Sequence, residues 1–456
     1  MGGEGELPGW RNMWRPSVKV PPEEEERKGV ADVAAISRDG EIVVTRFAGE
    51  QRSRCQESRL SVKGLLLLSA LLFANSFLSA QVPDSGYVKK KVSDTDLEVL
   101  FSFYTQDGEH SAVTGGEGTE NLQVYAPDLR LTHAFSDTRR LYASAGVDVV
   151  SSASTDNIDF HVSSASSLDG RYHISLGYGA QFPESGLEFI GKGMASIESD
   201  YFSLGGDLFG SYTDPSQTNT YSFQFQSFFD DLRWGRLNPN TKYSPTKLIY
   251  PEELRFKEWY DRHDRQSFNA SFTWSRVLNR RMILNISPGV ILQQGLLATP
   301  FHRVYFQDSF LPKVENLPEK RVKIPVGIGL NSFIGGEWVL RSSYRFYWDD
   351  FGILSHTANV ELPWKAGRSI TLTPFFRLYT QTSADFFRPY GEHELDEMFY
   401  TSDYDLSEFT SFKGGIGFRY YPFSSFLNEL AFRYSYYQRG DGLFAHILST
   451  YFSYDL

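Results

Sequence analysis

From Leu97 onward the chain divides into segments of alternating apolar and polar residues, and the connections between them sort by parity. Every second connection is short, among them 135–139, 183–186, 279–280, 334–336 and 364–368. The intervening set holds all the long ones: 107–121, 151–170, 232–265, 295–320 and 383–410. A soluble β-sandwich has no reason to separate loop lengths in this way. An antiparallel barrel crossing a membrane does, because its turns gather on one side and its loops on the other. The segments also have the length that a tilted strand needs to cross a bilayer.

The reading is therefore an all-β chain, a transmembrane antiparallel up-and-down β-barrel of sixteen strands, with fourteen as the alternative count. The strands are expected at 97–106, 122–134, 140–150, 171–182, 187–198, 201–212, 220–231, 266–276, 281–294, 321–333, 337–349, 352–363, 369–382, 411–421, 428–438 and 443–456. An even count returns both termini to one side, expected to be the periplasmic one. The last segment places Leu448, Thr450, Phe452, Tyr454 and Leu456 on one face and Ile447, Ser449, Tyr451, Ser453 and Asp455 on the other. Alone, such alternation fits equally an edge strand of a soluble sheet. With the parity of the loops it reads as the closing strand, expected to pair with 97–106 and to present the insertion signal to the outer-membrane machinery.

Mean hydropathy is −0.35, which is no objection, since lipid-facing and lumen-facing residues cancel in any average. The 37 Phe, 26 Tyr and 8 Trp gather near segment ends, as at Phe101, Phe103, Tyr104, Phe346, Trp348, Tyr420 and Tyr421, where interfacial girdles would lie. Outward faces read as Val322, Ile324, Val326, Ile328 and Leu330, as Phe268, Ala270, Phe272 and Trp274, and as Leu430, Phe432, Tyr434 and Tyr436.

The apolar run 64–74 is too short to span a bilayer as a helix. Arg59 and Lys63 precede it, and Asn75, Ser76, Ser79 and Ala80 follow, the order of a secretory signal peptide at 59–80 with cleavage after Ala80. The alternative is an internal core segment. Residues 1–58 are expected to be a dispensable or mis-assigned extension, with translation starting near residue 60, and 81–456 the barrel domain. Cleavage would remove the single cysteine, Cys55, leaving no thiol or disulfide chemistry. It would also remove eleven basic and eleven acidic residues together, so the formal net charge stays at −11, unsuited to nucleic acid.

Inward positions carry the charge. On the later strands they hold a basic wall of Arg321, Lys323, Arg341, Arg345, Arg377, Arg419 and Arg433. On the earlier strands they hold an acidic wall of Glu98, Asp128, Asp148, Asp207 and Asp230, with Arg130 as an exception. Either the two walls create a transverse field in a water-filled lumen that selects polar solutes, or the charges, with Glu361 and Glu429, pair and close the lumen.

The loop residues Glu392, His393, Glu394, Asp396, Glu397, Asp403 and Asp405 could supply oxygen ligands to a hard cation, but their spacing fits no defined calcium loop and a solvated acidic face is the alternative. The phrase Ser-Ser-Ala-Ser recurs at 151–154 and 163–166 without evident chemistry, and Gly115, Gly116 and Gly118 lack the Lys-Ser/Thr pair of a phosphate loop. No cofactor, metal or catalytic motif is expected. For a barrel-embedded hydrolase, His302 and His356 would be the first residues to test.

Several stretches resemble an uncharacterised family of Gram-negative outer-membrane proteins known only as a domain of unknown function. They are 107–120 (with Ser111, Ala112, Val113, Thr114, Gly115, Gly116 and Glu120), 300–306, 315–318, 341–352, 373–382 and 400–406 (with Thr401, Ser402, Asp403, Tyr404 and Asp405). The resemblance runs from about Leu97 to the end. It implies a barrel in the outer membrane of a Gram-negative bacterium, in contact with its lipids, and names no activity. The functional expectation is a porin-like channel for small polar solutes. The alternative is a non-conducting barrel serving as a docking or accessory component for an envelope protein partner, and a barrel-embedded hydrolase ranks below both.

Overall fold

The computed structural model describes residues 33–36, 42–45, 94–152, 169–198, 202–232, 263–299, 302–422 and 426–456. The chain forms two compact units, Met1–Pro83 and Asp84–Leu456. In the first, β1 (Val33–Ile36) pairs antiparallel with β2 (Ile42–Thr45), a short ladder in a region whose sequence shows no sustained period. The expected signal peptide lies outside the described residues.

The second unit is a closed antiparallel barrel of sixteen strands. In chain order these are β3 (Asp94–Asp107), β4 (Leu122–Ser136), β5 (Arg139–Ser152), β6 (Asp169–Phe182), β7 (Leu187–Ile197), β8 (Phe202–Thr213), β9 (Asn219–Asp231), β10 (Asp264–Asn279) and β11 (Met282–Gly295). A loop hairpin follows, β12 (Arg303–Phe306) with β13 (Ser309–Val314). The barrel resumes with β14 (Lys320–Gly335), β15 (Trp338–Asp349), β16 (Leu354–Glu361) and its short continuation β17 (Trp364–Lys365), then β18 (Ile370–Gln381), β19 (Phe409–Tyr420), β20 (Leu427–Arg439) and β21 (Phe444–Asp455). Each strand pairs with its sequence neighbour, and β21 closes on β3 in register from Phe444 opposite Asp107 to Asp455 opposite Asp96. The sixteen expected strands are these sixteen, with ends differing by a few residues.

Closure removes every free sheet edge, so the backbone ladder is complete within the wall, as a bilayer demands. The wall has two chemically opposite faces. Leu176, Leu204, Leu208, Phe223, Phe272, Ile328, Phe376, Ile416, Phe432 and Leu448 expose apolar side chains on the outside, and Leu208 is 62% exposed. So continuous an apolar band is lipid-facing surface. The expected outward residues Ile324, Ile328, Phe272, Phe432 and Tyr434 lie on it.

Turn chemistry explains the short-turn end. The β14–β15 turn uses Gly335 and Gly336 at φ of 112° and 58°, which side chains with a Cβ seldom adopt. Between β8 and β9 the Asp214 carboxylate accepts from the Thr218 N–H and the Asn219 amide, at 2.9 and 2.8 Å. All long connections leave the opposite end, and their described parts pack together as a cap. Its apolar core is Leu296, Ala298, Leu317, Phe351, Ile353 and Ala384. Backbone bonds stitch the loops to one another, as where Asn316 and Tyr400 exchange N–H···O bonds of 3.1 and 2.8 Å.

Candidate functional site

The inner face carries every charge of the two walls, but register decides what each one meets. Glu361 of β16 accepts from Arg433 at 2.8 Å and lies 3.9 Å from Arg341, while Glu429 holds Arg419 at 2.8 Å. Arg321 donates through Nε and Nη2 to Asp349 Oδ2 at 3.0 and 2.5 Å. On the earlier wall Asp128 pairs with Arg130, Asp148 with Arg171 at 3.9 Å, and Asp230 with Arg265 at 2.8 Å. Asp207 accepts from Gln224 at 3.0 Å, and Glu98 from the Tyr451 hydroxyl at 2.9 Å. Pairing is thus within each wall.

Lys323, Arg345, Arg377 and Lys413 have no ion-pair partner among the described residues. Arg377 stands directly opposite Lys413 across the β18–β19 ladder. Both line a cavity of about 180 Å³ with Tyr379, Phe409, Ser411 and Tyr437, a lining that contains no carboxylate. Arg377 Nε is buried without a hydrogen-bond partner. Lys413 was not singled out in the sequence reading of the basic wall, although it shares the inward parity of β19 with Arg419.

The second site is in the cap, whose most deeply buried side chains include His393, Glu315, Thr401 and Ser402. His302 sits just before β12, Glu315 just after β13, and Asp403 in the loop between β18 and β19. His302 Nδ1 lies 3.7 Å from Glu315 Oε1 and 3.6 Å from Asp403 Oδ2. The three donor atoms all lie within 4.8 Å of one another. Both carboxylates are themselves fixed. Glu315 Oε2 accepts from the Thr299 N–H at 2.7 Å and Oε1 from the Thr401 hydroxyl at 2.5 Å, while Asp403 Oδ1 accepts from the Asp405 N–H at 2.9 Å. Burial disfavours the charged imidazole, yet Glu315, Asp403 and Asp405 around it raise His302 to about 9. Burial likewise lifts Asp403 to about 6 although His302 opposes it. The cluster is built to hold positive charge.

The loop after β3 closes over this site. Gly116, at φ of 93°, brings its backbone so near that an added Cβ would lie 2.8 Å from the Ser402 carbonyl oxygen, and His110 stacks on Tyr404 at 3.8 Å. The Asp403 loop is tied to inward residues of the barrel: Gln381 donates to the Ser407 carbonyl at 2.5 Å and Arg439 to Asp405 at 2.5 Å. The seven-residue acidic set read from sequence therefore splits. Glu392, Glu394 and Asp396 stay exposed, His393 is buried against Glu397 and the Thr401 carbonyl, and Asp405 pairs with Arg439. His356 lies elsewhere, on the outer face of β16, where its Nδ1 bonds the Tyr344 hydroxyl at 2.6 Å.

The stretches 107–120, 302–306, 315–318 and 400–406, far apart in sequence, thus meet in one cap. The profile of a family described as "Protein of unknown function (DUF3570)" matches residues 69–446. The chain belongs to this family. The match begins upstream of Leu97, inside the apolar run 64–74. No curated protein matches this DUF3570 chain. Similar solved structures include OccK1 (OpdK) of Pseudomonas aeruginosa, 9% identical, covering 81% of this chain and 100% of that one at a TM-score of 0.38. OccK7 (OpdD) of the same organism is 10% identical, with 80% and 99% covered and a TM-score of 0.40. OccAB3 of Acinetobacter baumannii is 9% identical, with 80% and 100% covered and a TM-score of 0.39.

Proposed function

We propose that this protein is a porin-like channel of a Gram-negative outer membrane, passing small polar solutes and favouring anions at the basic wall. Both termini are then periplasmic and the cap faces outside. A barrel of sixteen strands is wide enough to enclose an aqueous passage. The observation that carries the anion preference is Arg377 directly opposite Lys413, facing inward with no carboxylate in the cavity they share. Like charges placed opposite each other destabilise a sheet, and the nearby Glu361 is already engaged by Arg433 and Arg341. An anion entering the niche relieves that repulsion, with Ser411, Tyr379 and Tyr437 at hand to hydrogen-bond it.

The test is a planar-bilayer recording of the folded protein under a salt gradient. The wild type should conduct with a reversal potential of anion-preferring sign, and an R377Q/K413Q double variant should move toward cation preference. Absence of conductance, or a reversal potential indifferent to the double variant, would refute the reading. A docking role has one observation in its favour: Leu311 and Met398 expose 77% and 73% of their area on the cap, apolar surface suited to an envelope partner. Cross-linking in native membranes that returns only the protein itself would count against it.

A further inference from the structure

We infer that His302, Glu315 and Asp403 bind a divalent first-row transition ion of the zinc class, which clamps the loop between β11 and β14 to the loop between β18 and β19. The distances are the first argument. The Nδ1 atom lies 3.7 and 3.6 Å from the two carboxylate oxygens, too far for hydrogen bonds, and it is buried with no hydrogen-bond partner. Ligands about 2.0–2.2 Å from a tetrahedral zinc stand about 3.3–3.6 Å from each other, close to the separation seen here. An imidazole evolved only to bond one carboxylate would sit nearer to it.

The surroundings supply a second argument. Metal-binding carboxylates are held by outer hydrogen bonds that orient them, and here each has one oxygen fixed by a backbone N–H: Glu315 by Thr299 and Asp403 by Asp405. Thr401 links the two, since its hydroxyl donates to Glu315 Oε1 and accepts from the Asp403 N–H at 3.0 Å. Charge is the third argument. Two carboxylates outnumber the one imidazole in either of its protonation states, leaving a net negative charge in a mostly buried place, with the Glu315 side chain only 2% exposed, and a divalent ion would cancel it. One nitrogen and two oxygen donors suit zinc and its neighbours better than calcium, which takes six or more oxygens. His302 and Asp403 keep 20% and 22% of their side-chain area exposed, so ion entry and a fourth, exchangeable position lie on that side.

The experiment uses the full chain, folded in detergent and stripped with a chelator. Titration with Zn²⁺ should show one tight equivalent, and Co²⁺ should give the intense visible bands of a tetrahedral site with nitrogen and oxygen ligands. H302Q and D403N should each weaken Zn²⁺ binding by at least tenfold, and T401V by about 10- to 100-fold through loss of ligand orientation. A control, E394Q/D396N, removes two exposed carboxylates of the same loop and should leave the affinity unchanged. The Co²⁺ spectrum of the wild type requires no substitution, so a variant that fails to fold does not blunt the test. Sub-stoichiometric binding, an octahedral Co²⁺ spectrum, or equal losses in H302Q and the control would overturn the assignment.

Discussion

Asp349 is the side chain whose removal should cost most. It ends β15 on the inner face at 0% exposure, and its two oxygens receive five donors. Arg321 Nε and Nη2 and the Tyr347 hydroxyl reach Oδ2 at 3.0, 2.5 and 2.6 Å, and the N–H groups of Phe351 and Ile353 reach Oδ1 at 3.0 Å each. The carboxylate thus joins the barrel wall to the turn that plants Phe351 in the cap core, and the Arg321 guanidinium lies over that ring at 4.4 Å. Asp349→Asn keeps the shape but leaves Arg321 charged, mostly buried and unmatched. Breaking one side of a buried ion pair costs about 3–5 kcal/mol. Asp350→Asn, next along the chain, loses only an exposed carboxylate that accepts from the Val322 N–H at 2.9 Å, and should cost less than about 1 kcal/mol. The assay is urea unfolding in detergent followed by tryptophan fluorescence, with proteolysis of the cap as a second readout. The midpoint of D349N should fall well below those of wild type and D350N, and adding R321Q should recover part of the loss, because the stranded charge is gone. Equal midpoints for D349N and D350N, or a D349N/R321Q loss equal to the sum of the singles, would refute the reasoning.

Other outcomes follow from neighbouring contacts. Glu361→Gln should release Arg341 and Arg433, shifting the reversal potential further toward anions while stability changes by less than about 1 kcal/mol, since both guanidinium groups are about half exposed. Gly116→Ala should loosen the cap and leave the barrel intact, seen as new cleavage within 108–121 at unchanged electrophoretic heat-modifiability, because the position combines a φ of 93° with a blocked Cβ. Glu120 gives a pH dependence. Burial raises its carboxyl to about 7 from an ordinary 4.5, with Asp405 adding to the rise and Arg439 opposing it. The folded cap therefore holds a proton there that the unfolded loop releases, and cap stability should decline as pH rises from 4.5 through 7. Proteolysis across that range should show the decline in wild type and a flatter response in E120Q.

The barrel was legible because its determinants are local. Strand faces repeat every two residues, so alternation at 322–330 or 448–456 assigns each side chain to lipid or lumen without knowledge of its neighbour. Loop length sorts by parity because consecutive strands run in opposite directions. Both signals survive in one dimension, and the closing pair of β21 with β3 followed from the even count. The identity of charge partners was not legible. Periodicity places Arg341, Arg433 and Glu361 on the inner face, but only the stagger between strands decides that Glu361 meets both arginines. It also decides that Lys413, absent from the sequence reading of the wall, stands opposite Arg377.

The cap shows the same limit more sharply. His302, Glu315 and Asp403 belong to two loops on either side of four barrel strands, and no short spacing links them, so a motif search passes over them. What the sequence determined by itself is the closed wall, its strand number and its two faces, because these depend on backbone periodicity and chain direction. The tertiary structure alone decided which inward charges are neutralised and which loop residues become buried donors. Those outcomes depend on strand stagger and on loops brought together by a ring that closes only after all sixteen strands are laid down.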